Sequence, residues 1–465
     1  MAKSREDELF RNKPVMRAIM ELAFPTVIGQ IILVVYNMAD TFFVGLTNDA
    51  AKLTAVTVCM PAFMFLSAIS NLFGVGGASL IARSMGSGDE KRIGLASAFA
   101  LWGTVAVTLV YSAGAFILRD GFIDLLGGAN PLVHGAAVEY VTVTVVLGGM
   151  ATAVGTLFSH LIRSEGRAVY ASVGIALGGV MNIALDPLFM FRILPPGRET
   201  LGAAIATALS NLVSLGYFIV VLFILRKKTR LSFRPGREML RERVPAEVMY
   251  AGIPACVMTL FENISYAVLD KLISAYGVAC QAGVGVAKKV NMLAHSIVRG
   301  ITQGALPLIA YNYASGDHKR MKSSVRTAAA YAVGIASLCM GINLLFSSEL
   351  ISIFIHTEDD SLKFGVQFLR ILCVGGPFSA YAYTIISFFQ AVGDGRRAFL
   401  LATLRKGFLD IPLMLILDLI VPVYGIVAAT PAADAVASIT ALIMFRRFLK
   451  RLDIRKRRKY DIIEG

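Results

Sequence analysis

The sequence predicts an all-α polytopic membrane protein, with twelve transmembrane helices in two pseudo-symmetric six-helix bundles, and three observations carry that prediction. The chain is 56% hydrophobic and 16% charged, with mean hydropathy +0.68, whereas a soluble domain carries about 25% charge. Apolar runs long enough to cross hydrocarbon as a helix, ~20 residues, recur near 17–46, 52–82, 93–118, 132–162, 168–191, 201–225, 248–275, 280–313, 324–347, 361–391, 398–421 and 424–445. A barrel would instead show strands of ~10 residues in strict alternation. Finally, one stretch occurs twice. Ile81 to Arg92 reads IARSMGSGDEKR and Ile309 to Arg320 reads IAYNYASGDHKR, identical at seven of twelve positions at an offset of 228.

The repeat extends in both directions: Pro25 matches Pro254, Gly166-Arg167 matches Gly395-Arg396, and Gly202 with Ala206-Thr207 matches Gly425 with Ala429-Thr430. An offset of six helices, an even number, gives both halves the same orientation about an axis along the membrane normal. The expected organisation is an N-terminal lobe over 1–225, a linker over 226–247 with Pro235-Gly236 and no apolar period, a C-terminal lobe over 248–450 and a basic tail over 451–465.

A net charge of +14 and the run Arg455 to Lys459 could suggest nucleic acid, but the distribution of charge argues for lipid. Of 45 Lys and Arg, 35 fall at the N-terminus, at every second loop (including Arg396 to Lys406) and in the tail. Such bias orients helices with their basic ends in the cytoplasm. Both termini are therefore expected on the cytoplasmic side of the cell (inner) membrane, with no nucleic-acid partner. The five cysteines are scattered in or near predicted spans and suggest packing rather than a disulfide framework. The charged first 17 residues are not followed by a short apolar core and a small-residue cleavage site, so the first span is expected to stay. ATP loops, zinc-protease motifs and nucleophile elbows are absent from the sequence, so the chain reads as no enzyme, with no cofactor beyond a coupling ion.

An acid inside a membrane segment costs at least ~2.5 kcal/mol, which makes it a functional candidate. Counted from the outer helix ends at 1.5 Å per residue, Asp40, Asp186 and Thr207 fall within one layer of ~8 Å. Tyr36 and Asp40 are i,i+4, as are Asn182 and Asp186, and Thr207 and Asn211, so each pair shares a helix face. Two carboxylates in one low-dielectric layer cannot both stay charged cheaply, which is what a proton carrier needs. The same oxygens at Asp40, Asn182 and Asp186 could instead hold Na+.

In the second half, Glu262, Tyr266 and Asp270 form one stripe, with Glu262 near the midplane. Lys288, Asn291, His295, Arg299 and Gln303 form another. Glu262, Tyr266, Asn291 and His295, with Asn211 from the first half, are candidate substrate contacts; the competing reading of Glu262 is an ion pair with Lys288, Lys289 or Arg299. Arg370, Asp410 and Asp418 are further charges inside spans, which could pair with one another. Gly174-x-x-x-Gly178 and Gly300-x-x-x-Gly304 suggest close helix packing.

FPTVIGQ and YNMADTFFVG in the first span, LFGVGGASLIAR with GSGD after the second, RSEGR after the fourth, NIALDPLF in the fifth and ALPLIAYNYASGD after the eighth resemble the multidrug and toxic compound extrusion (MATE) family. The similarity is greatest to its DinF-like and MepA-like branch. It implies a secondary antiporter exporting amphipathic, mostly cationic drugs for H+ or Na+ by alternating access, acting as a monomer. It also implies an N-lobe ion site at Asp40, Asn182, Asp186 and Thr207. The chain departs from the family pattern at Ser159 and His160, where relatives carry asparagines, and an imidazole there would suit proton coupling. Two other readings stay open: a flippase for lipid-linked saccharide precursors, favoured by Lys288, Lys289 and Arg299, and a membrane-embedded enzyme using Glu262 and His295.

Overall fold

The protein was analysed as a computed structural model describing residues 8–47, 49–125, 130–355 and 360–464. Lys3 and Arg5 lie outside the described residues, as do the side chains of Arg455 to Lys459. Twelve helical rods succeed one another among the described residues. They are α1 (Val15–Gly45), α2 (Ala50–Ser87), α3 (Glu90–Ile117), α4 (Pro131–Leu147 and Gly149–Ser164, bent by 47°), α5 (Ala168–Ile193) and α6 (Glu199–Leu225). The second half supplies α7 (Val244–Ser274), α8 (Val278–Ala314), α9 (His318–Leu345), α10 (Asp360–Val374 and Gly376–Ala391, bent by 43°), α11 (Gly395–Thr403, Leu404–Leu409 and Asp410–Ile420) and α12 (Tyr424–Glu464). Helix α7 begins at Val244, inside the expected linker, and α12 continues unbroken through the expected tail.

The duplicated motif has a physical role. Gly88 and Gly316 adopt φ +79° and +81°, the left-handed conformation that ends a helix, and Asp89 and Asp317 then cap the next by accepting from Arg92 N and Arg320 N. Gly393 and Asp394 repeat the device between α10 and α11. These turns and the linker form one end of the molecule, called here the basic end. The linker is held on the first bundle by Ser97, which pairs with Ser232, and by Glu165, which accepts from Thr229 Oγ1 and Arg230 N.

Large apolar side chains such as Val110, Ile117, Ile224, Leu345 and Leu419 point outward. In water so much apolar surface would drive association; in a bilayer it faces lipid. Eight rods are individually long and apolar enough to span, and the two bent pairs make ten. The remaining two, α8 and α11, carry the charges discussed below.

The bundles share one apolar core at the basic end, to which α1, α2, α7, α8, α9 and α10 all contribute, and keep separate cores at the other end. The shared seam is lined by glycine. A Cβ on Gly252 would lie 1.8 Å from Leu72 O and one on Gly76 2.2 Å from Val248 O, while Gly300 and Gly304 sit on the backbone of Val27 and Ala23 at 2.5 and 2.6 Å. The expected packing role of Gly300-x-x-x-Gly304 is thus fulfilled between bundles. Gly174 and Gly178 pack within one bundle, on Phe218 and Ser214 of α6. An N-terminal turn, Glu8–Asn12, seals the seam from below: buried Phe10 stacks on Tyr311 at 5.0 Å, and its carbonyl accepts from Arg320 Nε at 2.7 Å.

Gly304→Val should therefore wedge the bundles apart at this end. Spin labels at positions 90 and 319 are expected to show a longer distance distribution in the variant, and an unchanged distribution would mean the seam does not need its glycines.

Candidate functional site

Between the bundles, beyond the seam, lies a cavity of about 260 Å³. The first bundle contributes Gln30, Tyr36, Asn37, Phe63, Met64, Thr207 and Asn211; the second contributes Glu262, Tyr266, Met292, His295, Arg299 and Gln303. Its floor is tied by polar links between bundles: Asn71 Nδ2 donates to Thr259 Oγ1 at 2.9 Å, and Gln303 Oε1 accepts from Gln30 Nε2 at 3.4 Å and Arg163 Nη1 at 3.3 Å.

Of the expected N-lobe set, Tyr36 and Thr207 line this cavity, while Asp40, Asn182 and Asp186 sit behind that wall inside the first bundle, at 6%, 1% and 0% exposure. Asn182 Nδ2 donates to Asp186 Oδ1 and to Thr207 Oγ1, both at 3.3 Å. Asp40 lies close enough to interact electrostatically with Asp186, and both act on the Tyr36 and Tyr140 hydroxyls. Tyr140, from the first part of α4, is the member that sequence reasoning missed. Its signal was weak because it lies outside the helices whose polar spacing was read. Three oxygens here find no hydrogen-bond partner: Asp40 Oδ1, Asn182 Oδ1 and Asp186 Oδ2. Unpartnered buried oxygens are rare and costly, and oxygen-only donors are what a proton or a hard monovalent cation would take.

His160 and Ser159 do not join this pocket. Ser159 turns back to Thr156 O, and His160 lies against Gly74 and beside Arg163 at the cavity floor. Asn211 lines the cavity and donates to Thr152 Oγ1 at 3.0 Å.

The second bundle answers the open question about Glu262. Its carboxylate is paired with Arg299 and accepts from Tyr383 Oη at 3.1 Å, so it lines the cavity as a neutralised acid. Lys288 pairs instead with Asp270. Tyr266 and His295 line the cavity as expected, but Asn291 is buried away from it and Met292 and Ser296 take its place, because the helix face turned inward is one residue further round.

Arg370, Asp410 and Asp418 do not pair with one another: Arg370 Nε donates to Ser347 Oγ, and Asp418 accepts from Tyr276 Oη. Nor do Arg405 and Lys406 belong to a basic loop. The wide turn Leu404–Leu409 rotates both into the interior, where they are 1% and 2% exposed; such turns often re-aim side chains at functional positions. Arg405 pairs with Asp434 and donates to Ser379 Oγ at 2.7 Å, its guanidinium 4.3 Å from the Tyr383 ring centroid; Lys406 Nζ reaches Asp410 at 2.8 Å.

Laid over the repeat, this network mirrors the N-lobe pocket. At offsets of 224 and 223, Asn182, Asp186 and Thr207 correspond to Lys406, Asp410 and Thr430. Thr430 Oγ1 donates to Asp410 Oδ1 at 2.9 Å, and Ser265, the counterpart of Tyr36 at offset 229, donates to Asp410 Oδ2 at 2.6 Å. The frame is shared, with one decisive difference. Where the second bundle has the ammonium of Lys406, the first has the amide of Asn182 and an unpaired acid beside it.

Comparison with known proteins agrees with this architecture. The profile of the MatE family matches residues 25–188 and 254–416, two segments whose starts and ends are offset by 229 and 228 residues. The chain is 26% identical over 463 residues to the multidrug export protein MepA of Staphylococcus saprophyticus, and 25% identical over 460 residues to MepA of Staphylococcus aureus, each covering 98% of both chains. Among solved structures it resembles MATE in complex with MaL6, with a TM-score of 0.88 at 23% identity. It also resembles the outward-facing conformation of a multidrug resistance MATE family transporter of the MOP superfamily, at 0.85 and 24%. Both alignments cover 96% of this chain and 98% of the other. A duplicated six-helix bundle closed around a central cavity, matched twice by one family profile over most of its length, makes this chain a member of the MATE family of membrane transporters.

Proposed function

We propose that the protein is an ion-coupled antiporter that exports amphipathic, mostly cationic compounds from the cell across its inner membrane by alternating access. The observation that carries this reading is the pair of acids Asp40 and Asp186, buried together with three unpartnered oxygens one wall away from the cavity. A charge pair of one sign in that position calls for an exchangeable cation, H+ or Na+. Tyr36 and Thr207 belong to both pocket and cavity wall, so filling the pocket alters the wall. An ion shifts the equilibrium between two states only by its difference in affinity for them, and a site whose shape depends on a cavity wall supplies such a difference. With the basic end facing the cytoplasm, as its positive charge favours, the closed seam corresponds to a state open to the outside, and both termini are cytoplasmic. The aromatic and methionine side chains of the wall, Phe63, Met64, Tyr266 and Met292, suit varied apolar cations. The chain works as a single copy in this reading. Of Lys288, Lys289 and Arg299, which would favour a lipid-linked saccharide, Arg299 and Lys288 are occupied by Glu262 and Asp270, and neither lysine lines the cavity.

Asp40→Asn in proteoliposomes is expected to lower ethidium efflux driven by a pH or Na+ gradient by roughly tenfold or more, while ethidium binding persists. Full gradient-driven efflux in that variant would sink the coupling role. Separately imposed H+ and Na+ gradients on the unaltered protein identify the ion.

The acids of the second bundle should fail differently. Lys406→Met strands a buried Asp410 and is expected to cost roughly 3–5 kcal/mol of stability, seen as a lower melting temperature in detergent, with most of the loss recovered in Lys406→Met/Asp410→Leu. A single variant as stable as the parent would mean this pair is not structural.

A further inference from the structure

We infer that the groove between α3 and the linker binds an anionic phospholipid of the cytoplasmic leaflet, with the headgroup phosphate held by Arg234, Arg237 and Arg241. The groove measures about 500 Å³ and is lined by Gly94, Leu95 and Ala98 of α3 and by linker residues between Ser232 and Arg241. Lys91, also in the lining, is committed to Glu242 at 2.8 Å and reaches Glu238 at 3.7 Å. The three arginines are exposed, and among the described residues their side chains make no ion pair or hydrogen bond. Three uncompensated guanidinium groups therefore surround one groove at the first turns of a membrane-spanning helix, the depth of lipid headgroups. Their planar forks match phosphate oxygens in paired hydrogen bonds, and the inner leaflet supplies anionic lipid to basic groups held at its surface. The site needs the basic end to face the cytoplasm and is independent of what the central cavity carries.

Two observations select a lipid over a soluble anion. The groove runs on into lipid-facing surface: Leu95 and Ala98 are followed on the same helix face by Trp102 and Leu109, 39% and 56% exposed, and the linker turns Leu240 outward between Arg237 and Arg241. The Trp102 indole donates to Phe233 O at 3.1 Å, the posture of a tryptophan at a membrane interface, so acyl chains would lie along α3 below the bound headgroup. The groove is also absent from the other half of the repeat. An offset of 228 places Lys322, Ser323 and Arg326 where the first bundle has Gly94, Leu95 and Ala98, and Lys322 is spent on Asp453. Room and an apolar floor are thus particular to this one position. A lipid bound there would hold the linker, and with it the start of α7, against the first bundle.

The test uses purified full-length protein in a neutral detergent, with native mass spectrometry counting bound lipid. The probes are phosphatidylglycerol and phosphatidylcholine with the same acyl chains. The parent is expected to prefer phosphatidylglycerol by about tenfold or more. Arg234→Gln/Arg237→Gln/Arg241→Gln is expected to reduce that preference to about twofold or less. Arg446→Gln/Arg447→Gln/Lys450→Gln removes the same charge from the basic end outside the groove, and is expected to leave the preference within about twofold of the parent. Should the groove variant not fold, Arg237→Gln alone changes one exposed side chain and is expected to weaken phosphatidylglycerol by about fivefold. Equal binding of the two lipids by the parent, a preference unchanged by the groove substitutions, or the same loss in both triple variants overturns the inference. Millimolar inorganic phosphate is expected to leave the bound lipid in place; its displacement would give the groove to a soluble anion and overturn the lipid assignment.

Discussion

Charge that hydrocarbon leaves uncompensated is the constraint on which this structure turns. Desolvating an ion costs several kcal/mol even after relaxation, so an intramembrane acid must find a base, bind a cation or take up a proton. In the second bundle the bases are built in: Arg299 for Glu262, Arg405 for Asp434, Lys406 for Asp410. In the first, Asp40 and Asp186 share a pocket with amide and hydroxyl groups only. The duplicated frame makes the contrast sharp, because Lys406 and Asn182 occupy equivalent positions. Lys406 is in effect a cation tethered where the first bundle carries an amide and leaves its acid oxygens unpartnered.

The second organising element is the glycine seam, which determines where the bundles touch and so where the cavity can open. Helix α1 joins the seam to the acid pocket. Ala23 and Val27 pack on Gly304 and Gly300, Gln30 reaches across the cavity floor, Tyr36 lies on the cavity wall and Asp40 lies in the pocket. Pro25 sits within the seam-facing turn, where it removes a backbone donor and eases bending; Thr26 Oγ1 bonds back to Leu22 O at 2.7 Å. The helix thus has its backbone ladder interrupted at one end and its buried acid at the other.

Much of this was legible in the sequence, because hydropathy and an internal repeat act over long stretches. Twelve apolar runs became twelve rods, and the SGD motif became a helix stop followed by a helix cap. Asp40, Asp186 and Thr207 fall in one layer because depth along a helix can be counted, and Asn182 joins them by sharing a helix face with Asp186. Three things resisted. Arg405 and Lys406 read as loop residues, since a wide turn changes helix phase without changing composition. Asn291 was placed on the cavity because a stripe at steps of three and four leaves the exact face uncertain by one residue. The counterparts of Asn182 and Asp186 lie at an offset of 224, five residues short of the 229 that relates Pro25 to Pro254, so a single offset misses them.

The most direct measurement is gradient-driven transport by Asn182→Lys, which installs in the first bundle the tethered ammonium that the second carries at Lys406. The account predicts a folded protein that binds ethidium but no longer responds to either an H+ or a Na+ gradient. Undiminished response to the gradient would contradict it, by showing that the exchangeable cation acts somewhere other than beside Asp40 and Asp186.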